Sequence, residues 1–307
     1  MSIRKEIDGR AMGLMLVLSM IWGLQQVGLK ATAADIAPLM LIALRSGLAA
    51  LLVLLLMVVR RENLSLRDGT LRPGLIVGIL FALEYLLVGE GLRHTSAAHI
   101  VVFLYTAPIF AALGLNKKLP SERLQPVQWV GIALAFSGIA VAFFGGNQTV
   151  TSDATSVLLG DILGLLAGAA WGATTVVVRT SVLANAPATK TLLYQLVGAF
   201  VLLLIAAIVL GQTGLKHTPM VWSNLAFQVV VVSFASFLVW FWLLRQYVAS
   251  QLGVFSFMTP LFGVAFGVWL LNEPMEPGFV GGAALVLLGI VLVSGHGWLK
   301  KMLVGWA

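Results

Sequence analysis

Cysteine is absent from this 307-residue chain, which excludes a disulfide framework, a thiolate metal site and a nucleophilic thiol. Charge is scarce as well: Asp, Glu, Lys and Arg make up 10% of the residues, against 60% hydrophobic, and the mean hydropathy is +1.00. A chain with so little polar surface cannot face water all round, so the class expected is an all-α integral membrane protein. No Walker A, HExxH or GxSxG motif occurs, which leaves ATP-driven pumping and hydrolysis without a residue basis. The loops are too short for a soluble catalytic domain. A sequence pI near 10 raises nucleic acid as a partner, but the basic residues sit in short clusters between apolar runs, the pattern of membrane orientation. No nucleic acid, cofactor, metal or enzymatic activity is therefore expected.

What the chain does have is long apolar runs, at 11–29, 36–59, 74–92, 96–115, 127–144, 158–178, 191–210, 221–244, 251–271 and 278–298. Each is close to the roughly 20 residues that cross the hydrocarbon as a helix. Arg4, Lys5 and Arg10 precede the first run like the basic head of a signal peptide. The run is too long for a signal h-region and another span follows, so it reads as an uncleaved first helix.

The spans repeat. LRHTSAAHIVVFLYTAPIF at 92–110 returns as LRQYVASQLGVFSFMTPLF at 244–262, pairing Arg93 with Arg245, Ala97 with Ala249, Pro108 with Pro260 and Phe110 with Phe262. Upstream, Trp22-Gly23 pairs with Trp171-Gly172 and Lys30 with Arg179; downstream, Gly131 and Gly138 pair with Gly282 and Gly289. Two halves follow, 1–146 and 158–307, joined by a polar linker at 147–157 that is free of basic residues.

Counting Lys and Arg by side sets the orientation. With the N-terminus in the cytoplasm, the inner side holds Arg4, Lys5, Arg10, Arg60, Arg61, Arg67, Arg72, Lys117, Lys118, Arg123, Arg179, Lys190, Arg245, Lys300 and Lys301. The outer side holds Lys30, Arg93 and Lys216, so both termini are expected in the cytoplasm and the linker in the periplasm. Lys30 and its counterpart Arg179 fall on opposite sides, as do Arg93 and Arg245. Five spans per half is odd, so ten transmembrane helices form two inverted five-helix repeats, as in carriers that alternate access by rocking one repeat on the other.

These features, with the Trp-Gly pairs in spans one and six and the prolines in spans four and nine, resemble the drug/metabolite transporter superfamily and its EamA-type exporters. The run of the sequence is similar to the YddG-type exporters of aromatic amino acids from bacteria. The resemblance implies a bacterial inner-membrane exporter whose partners are a small-molecule substrate, the lipid bilayer and, as an option, a second copy in a homodimer. It also implies an acidic residue after spans four and nine, where Glu122 and Glu273 stand, with Glu273-Pro274 the better match, and it puts spans five and ten at the periphery.

Ionisable groups inside spans cost about 2.5 to 3.5 kcal/mol on insertion scales and usually have a partner or a task. Arg45 and Glu84 are the two clear cases. At about 1.5 Å per residue both lie about 12 to 14 Å below the outer surface, on neighbouring antiparallel helices, and an ion pair between them is one expectation. The other has Glu84 holding a substrate ammonium or a proton. His99 and its counterpart Gln251 stand above Phe103 and Phe255, Gln25 and Gln26 follow Trp22, and Thr174 and Thr175 follow Trp171. These face either a cavity or hydrogen-bonded packing. The run Gly160, Gly164, Gly168, Gly172 is a close-packing helix surface first. Trp298 and Trp306 read as interfacial anchors.

Span eight carries Phe237, Trp240 and Phe241, and span three carries Phe81, Tyr85 and Val88 at equivalent positions. Together with Trp22 and Trp171, two such faces would wall a cavity suited to a flat amphipathic solute. Pro108 and Pro260 each free a carbonyl one turn earlier, tolerated where a neighbour or a cavity satisfies it. Export of aromatic amino acids or similar metabolites is the function expected, with efflux of hydrophobic or cationic drugs second. A membrane-embedded lipid-modifying enzyme comes last, because no paired carboxylates or His clusters line one loop.

Overall fold

The computed structural model describes residues 4–95, 97–144, 154–272 and 278–294. Glu273, Trp298 and Trp306 lie outside them, as does most of the linker. Eight helical spans are long and apolar enough to cross a bilayer, and two shorter apolar helices, Pro126–Val141 and Phe279–Val293, complete the ten. In chain order they are α1 (Gly9–Ala31), α2 (Pro38–Val59), α3 (Leu71–Gly91), α4 (Ala97–Leu104) with α5 (Ala107–Lys118), α6 (Pro126–Phe144), α7 (Ala154–Thr180) and α8 (Ala188–Val209). Span eight runs from α9 (Pro219–Phe227) through a π-helical stretch, Gln228–Ser236, into α10 (Phe237–Gln246). Then come α11 (Ala249–Phe255) with α12 (Met258–Leu271), and α13 (Phe279–Ser294). Within the stretch read as linker, residues 154–157 are helical and belong to α7.

Spans four and nine are each broken at the same place, because a proline ring cannot continue the helical ladder. The gap between Leu104 and Ala107 precedes Pro108, and the gap between Phe255 and Met258 precedes Pro260. Hydroxyls bond carbonyls at the two breaks: Thr106 Oγ1 donates to the Phe103 carbonyl at 2.6 Å, Ser256 Oγ to Gly253 at 2.6 Å, and Ser19 Oγ to Phe255 at 3.2 Å.

The largest interfaces join one half to the other: α6 with α13, α2 with α8, α3 with α7 and α8, α1 with α12, and α5 with α7. The halves interlock rather than stand apart as two bundles. Helices α6 and α13 cross at glycine, where a Cβ on Gly138 would lie 2.6 Å from the Gly282 carbonyl oxygen and one on Gly131 2.7 Å from that of Gly289. The α7 glycines pack as expected, with Gly160 against Thr95, Gly164 against Phe103 and Gly168 against the Phe103 carbonyl. Leu51, Leu55 and Val58 on α2, and Ile205 and Ile208 on α8, stay exposed, the surface that a bilayer covers.

Candidate functional site

Aromatic rings from both halves meet at the centre. Trp22 on α1 packs against Phe237 at 6.4 Å and edge-on to Trp240 at 5.7 Å, while Phe81 reaches Tyr85 at 5.1 Å and Phe237 at 5.9 Å. Edge-to-face contacts of this kind are favoured by the ring quadrupole. The Trp22 indole N–H donates to Ser236 Oγ at 3.0 Å, so a buried polar tip is satisfied within the cluster. Trp171 stands edge-on to Tyr105 at 5.5 Å. Phe241 and Phe255 are buried in the main core, and Val88 and Phe103 are half-buried.

Arg45 is fully buried, but the ion pair expected with Glu84 does not form. Its guanidinium donates to Gln228 Oε1 at 2.7 Å and to the Tyr85 hydroxyl at 2.8 Å, and also lies over the Tyr85 ring at 5.1 Å. Gln228 passes the network on, its Nε2 donating to the Gln25 carbonyl at 3.2 Å. Arg45 Nε has no hydrogen-bond partner among the described residues. Glu84 is 8% exposed and makes no hydrogen bond or ion pair with a described residue. Arg45 is near enough for its charge to act on Glu84 without bonding to it. A buried carboxylate left in this way has its full acceptor capacity free.

The other polar candidates divide. Gln25 is buried and Gln26 is exposed; Thr174 bonds back to the Ala170 carbonyl at 3.0 Å. The Gln251 side chain accepts from the Ile7 backbone N–H at 3.0 Å, the packing role rather than the cavity role. The His99 side chain lies outside what the structure describes.

A cavity of about 10 Å³, room for about one water, lies between α5, α7, α10 and α11, walled by Pro108, Ala111, Trp171, Thr175, Trp240, Ala249 and Gly253 among others. Of the sequence candidates, Pro108, Trp171, Thr175 and Trp240 line this cavity.

A buried ion pair that the sequence reading did not anticipate stands on the basic face, the side bearing Arg61, Lys118 and Arg179. Arg179 Nε donates to Glu122 Oε1 at 3.0 Å, and Nη2 bonds the same oxygen; the side chains are 4% and 1% exposed. The signals available were the pairing of Arg179 with Lys30 at matching helix ends and the carboxylate at Glu122.

Two inverted repeats with broken fourth and ninth spans and an aromatic centre define a multi-pass membrane transporter. The chain belongs to the EamA-like transporter family, whose profile matches residues 9–144 and again 158–295. It is similar to the uncharacterized transporter YoaV of Bacillus subtilis, 26% identical over 277 residues, which cover 90% of this chain and 93% of that protein. It is also similar to a probable amino-acid metabolite efflux pump of Escherichia coli, 25% identical over 306 residues covering 95% and 97%. A solved crystal structure shares the fold with a TM-score of 0.79 at 17% identity, over 93% of this chain and 96% of that one.

Proposed function

We propose that the protein is an inner-membrane secondary transporter that exports aromatic amino acids or similar small amphipathic metabolites. Export proceeds by alternating access between the inverted repeats, around the central rings. The observation that carries this reading is the ring cluster of Trp22, Phe81, Tyr85, Phe237 and Trp240 beside an unbonded Glu84, which suits a flat apolar body with an ammonium group. The similarity to a probable amino-acid metabolite efflux pump supports the direction. Uptake of labelled phenylalanine and tryptophan into proteoliposomes, with and without an imposed pH gradient, tests it: movement of neither defeats the reading, and dependence on the gradient identifies the driving force.

Unbonded Glu84 among aromatic rings equally favours a second reading, efflux of a hydrophobic monocation. Counterflow of a cationic dye that phenylalanine fails to compete with would select it. The excess of Lys and Arg on one side of the chain's spans supports a cytoplasmic position for that side and for both termini. A cysteine at Lys216 should then react with an impermeant maleimide from outside the cell and one at Ser65 should not; the reverse pattern inverts the topology.

A further inference from the structure

Between the cavity and the basic face stands α11, a helix of 7 residues that contributes Ala249 and Gly253 to the cavity wall. It is held differently at its two ends. At its C-terminal end is the break before Met258, where Ser256 Oγ turns back to the Gly253 carbonyl. At its N-terminal end Glu122 Oε2 accepts the Ala249 N–H at 2.9 Å, while the other Glu122 oxygen binds Arg179. Arg179 Nη1 in turn donates to the Leu244 carbonyl at 3.0 Å, at the end of α10.

One ion pair therefore ties four segments at the floor of the cavity: the end of α7, the turn Pro120–Glu122, the end of α10 and the start of α11. The N-terminal segment seals the same seam. Lys5 N–H donates to Gln246 O at 2.9 Å, Val248 N–H donates to Lys5 O at 3.0 Å, and the Tyr247 hydroxyl donates to Asp8 at 2.9 Å.

We propose that Glu122 and Arg179 are the latch of a gate at the basic face, parting so that α11 swings on its break and the cavity opens to that side. The chemistry suits a reversible closure. Both charges are stripped of water when the latch is shut, and their mutual bonds and the two backbone partners offset the desolvation. Opening rehydrates both groups and offsets the loss of those bonds, which keeps the two states near in energy. An apolar seal of the same size would regain nothing from water. The gate rests on the alternating-access reading, but its test needs no substrate.

The absence of cysteine makes the test direct. A single reporter, Ala111→Cys, lies in the cavity wall, and its reaction with an impermeant maleimide is timed in vesicles that present the basic face. Adding Glu122→Gln should speed the reaction by about tenfold, the order expected from losing a coupling of this size. Adding Arg179→Lys keeps the charge but loses the planar fork, and should speed it by less. The parent rate in both variants overturns the proposal. If Glu122→Gln does not fold, Arg179→Lys decides alone: faster labelling supports the latch, and an unchanged or slower rate sinks it. Absence of phenylalanine transport with an intact labelling response would defeat the substrate reading and leave the gate standing.

Discussion

Gly23 in the first half and Gly172 in the second meet repeat-equivalent neighbours. A Cβ on Gly23 would lie 2.8 Å from the Phe262 Cβ and 2.8 Å from the Gly263 nitrogen; one on Gly172 would lie 2.6 Å from the Phe110 Cβ and 3.0 Å from the Ala111 nitrogen. Spans two and seven are also built alike. Each is 22 residues long and ends on a left-handed residue, Arg61 at φ 53° and Gly211 at φ 67°. In each, the next N–H reaches back into the last turn, from Glu62 to Met57 and from Gln212 to Ala207. The polar groups break the pattern. Span three carries Glu84 where span eight carries Ser236, and Ser236 accepts from Trp22 while Glu84 is unbonded. Packing is shared because both halves must close on each other in the same way. The two charged residues at mid-span, Arg45 and Glu84, both belong to the first half.

The packing side of this comparison breaks most violently. Gly23→Val and Gly172→Val should each cost about 1 to 3 kcal/mol or more from overpacking against backbone, and by similar amounts because the contacts are equivalent. Monodisperse yield and thermal unfolding in detergent report it. Gly13, in the same α1 helix as Gly23, has open space around its would-be Cβ, and Gly13→Ala should be neutral or gain up to about 1 kcal/mol from helix propensity. A large difference between the Gly23 and Gly172 variants would refute the symmetry argued here.

The polar side is sharpened by Glu84→Gln, which keeps the shape and removes the charge. Since Glu84 bonds nothing in the described structure, the variant should fold normally and lose transport by roughly ten- to hundredfold, the worth of a charge-assisted hydrogen bond. Full activity would strip Glu84 of any role in recognition. Ser236→Ala should cost about 1 kcal/mol of stability by orphaning the Trp22 N–H, with transport retained. Arg45→Gln should cost more, because the Gln228 and Tyr85 oxygens both lose a donor, and a second neutral substitution at Glu84 should not restore it. Recovery in the Arg45–Glu84 double variant would reinstate the direct ion pair.

That last point marks where the sequence became unreadable. Spans, repeat, proline breaks and the glycine stripe were all legible, since each is a periodic or local signal. Rotation about the helix axis was not, and it turns Arg45 toward Gln228, 183 residues away. The π-helical stretch Gln228–Ser236 adds to this, because its wider turn shifts which side chains of span eight face inward. The sequence places Glu122 just after span four, and the short turn Pro120–Glu122 folds it inward to Arg179. Local sequence around Gln251 carries no signal that the N-terminal segment takes its oxygen, through the Ile7 N–H.

The smallest effects come from comparing the two faces. Each has a lysine that clasps an interhelical loop of one half to the other half: Lys190 binds Asp68 and the Ser65 carbonyl at 2.6 Å on the basic face, and Lys216 binds Asp35 and the Ala34 carbonyl, both at 3.1 Å, opposite. The Lys190 side chain is 4% exposed and that of Lys216 67%, so the same device is built dry on one face and wet on the other. Removing the carboxylate should therefore matter more at Asp68, since Asp68→Asn strands a buried ammonium, while Asp35→Asn removes an exposed pair worth about 0 to 1 kcal/mol and weakened by salt. The Lys190 bond, with those from Thr70, holds the Asp68 carboxyl down at about 2. Because the folded value is depressed, its contribution is complete above the unfolded value near pH 4 and is lost as pH falls toward about 2. Thermal unfolding against pH should accordingly show the parent above Asp68→Asn at neutral pH, the two curves converging through that acid window. Parallel curves, or equal losses at Asp68 and Asp35, would mean that burial of Lys190 adds nothing to its clasp.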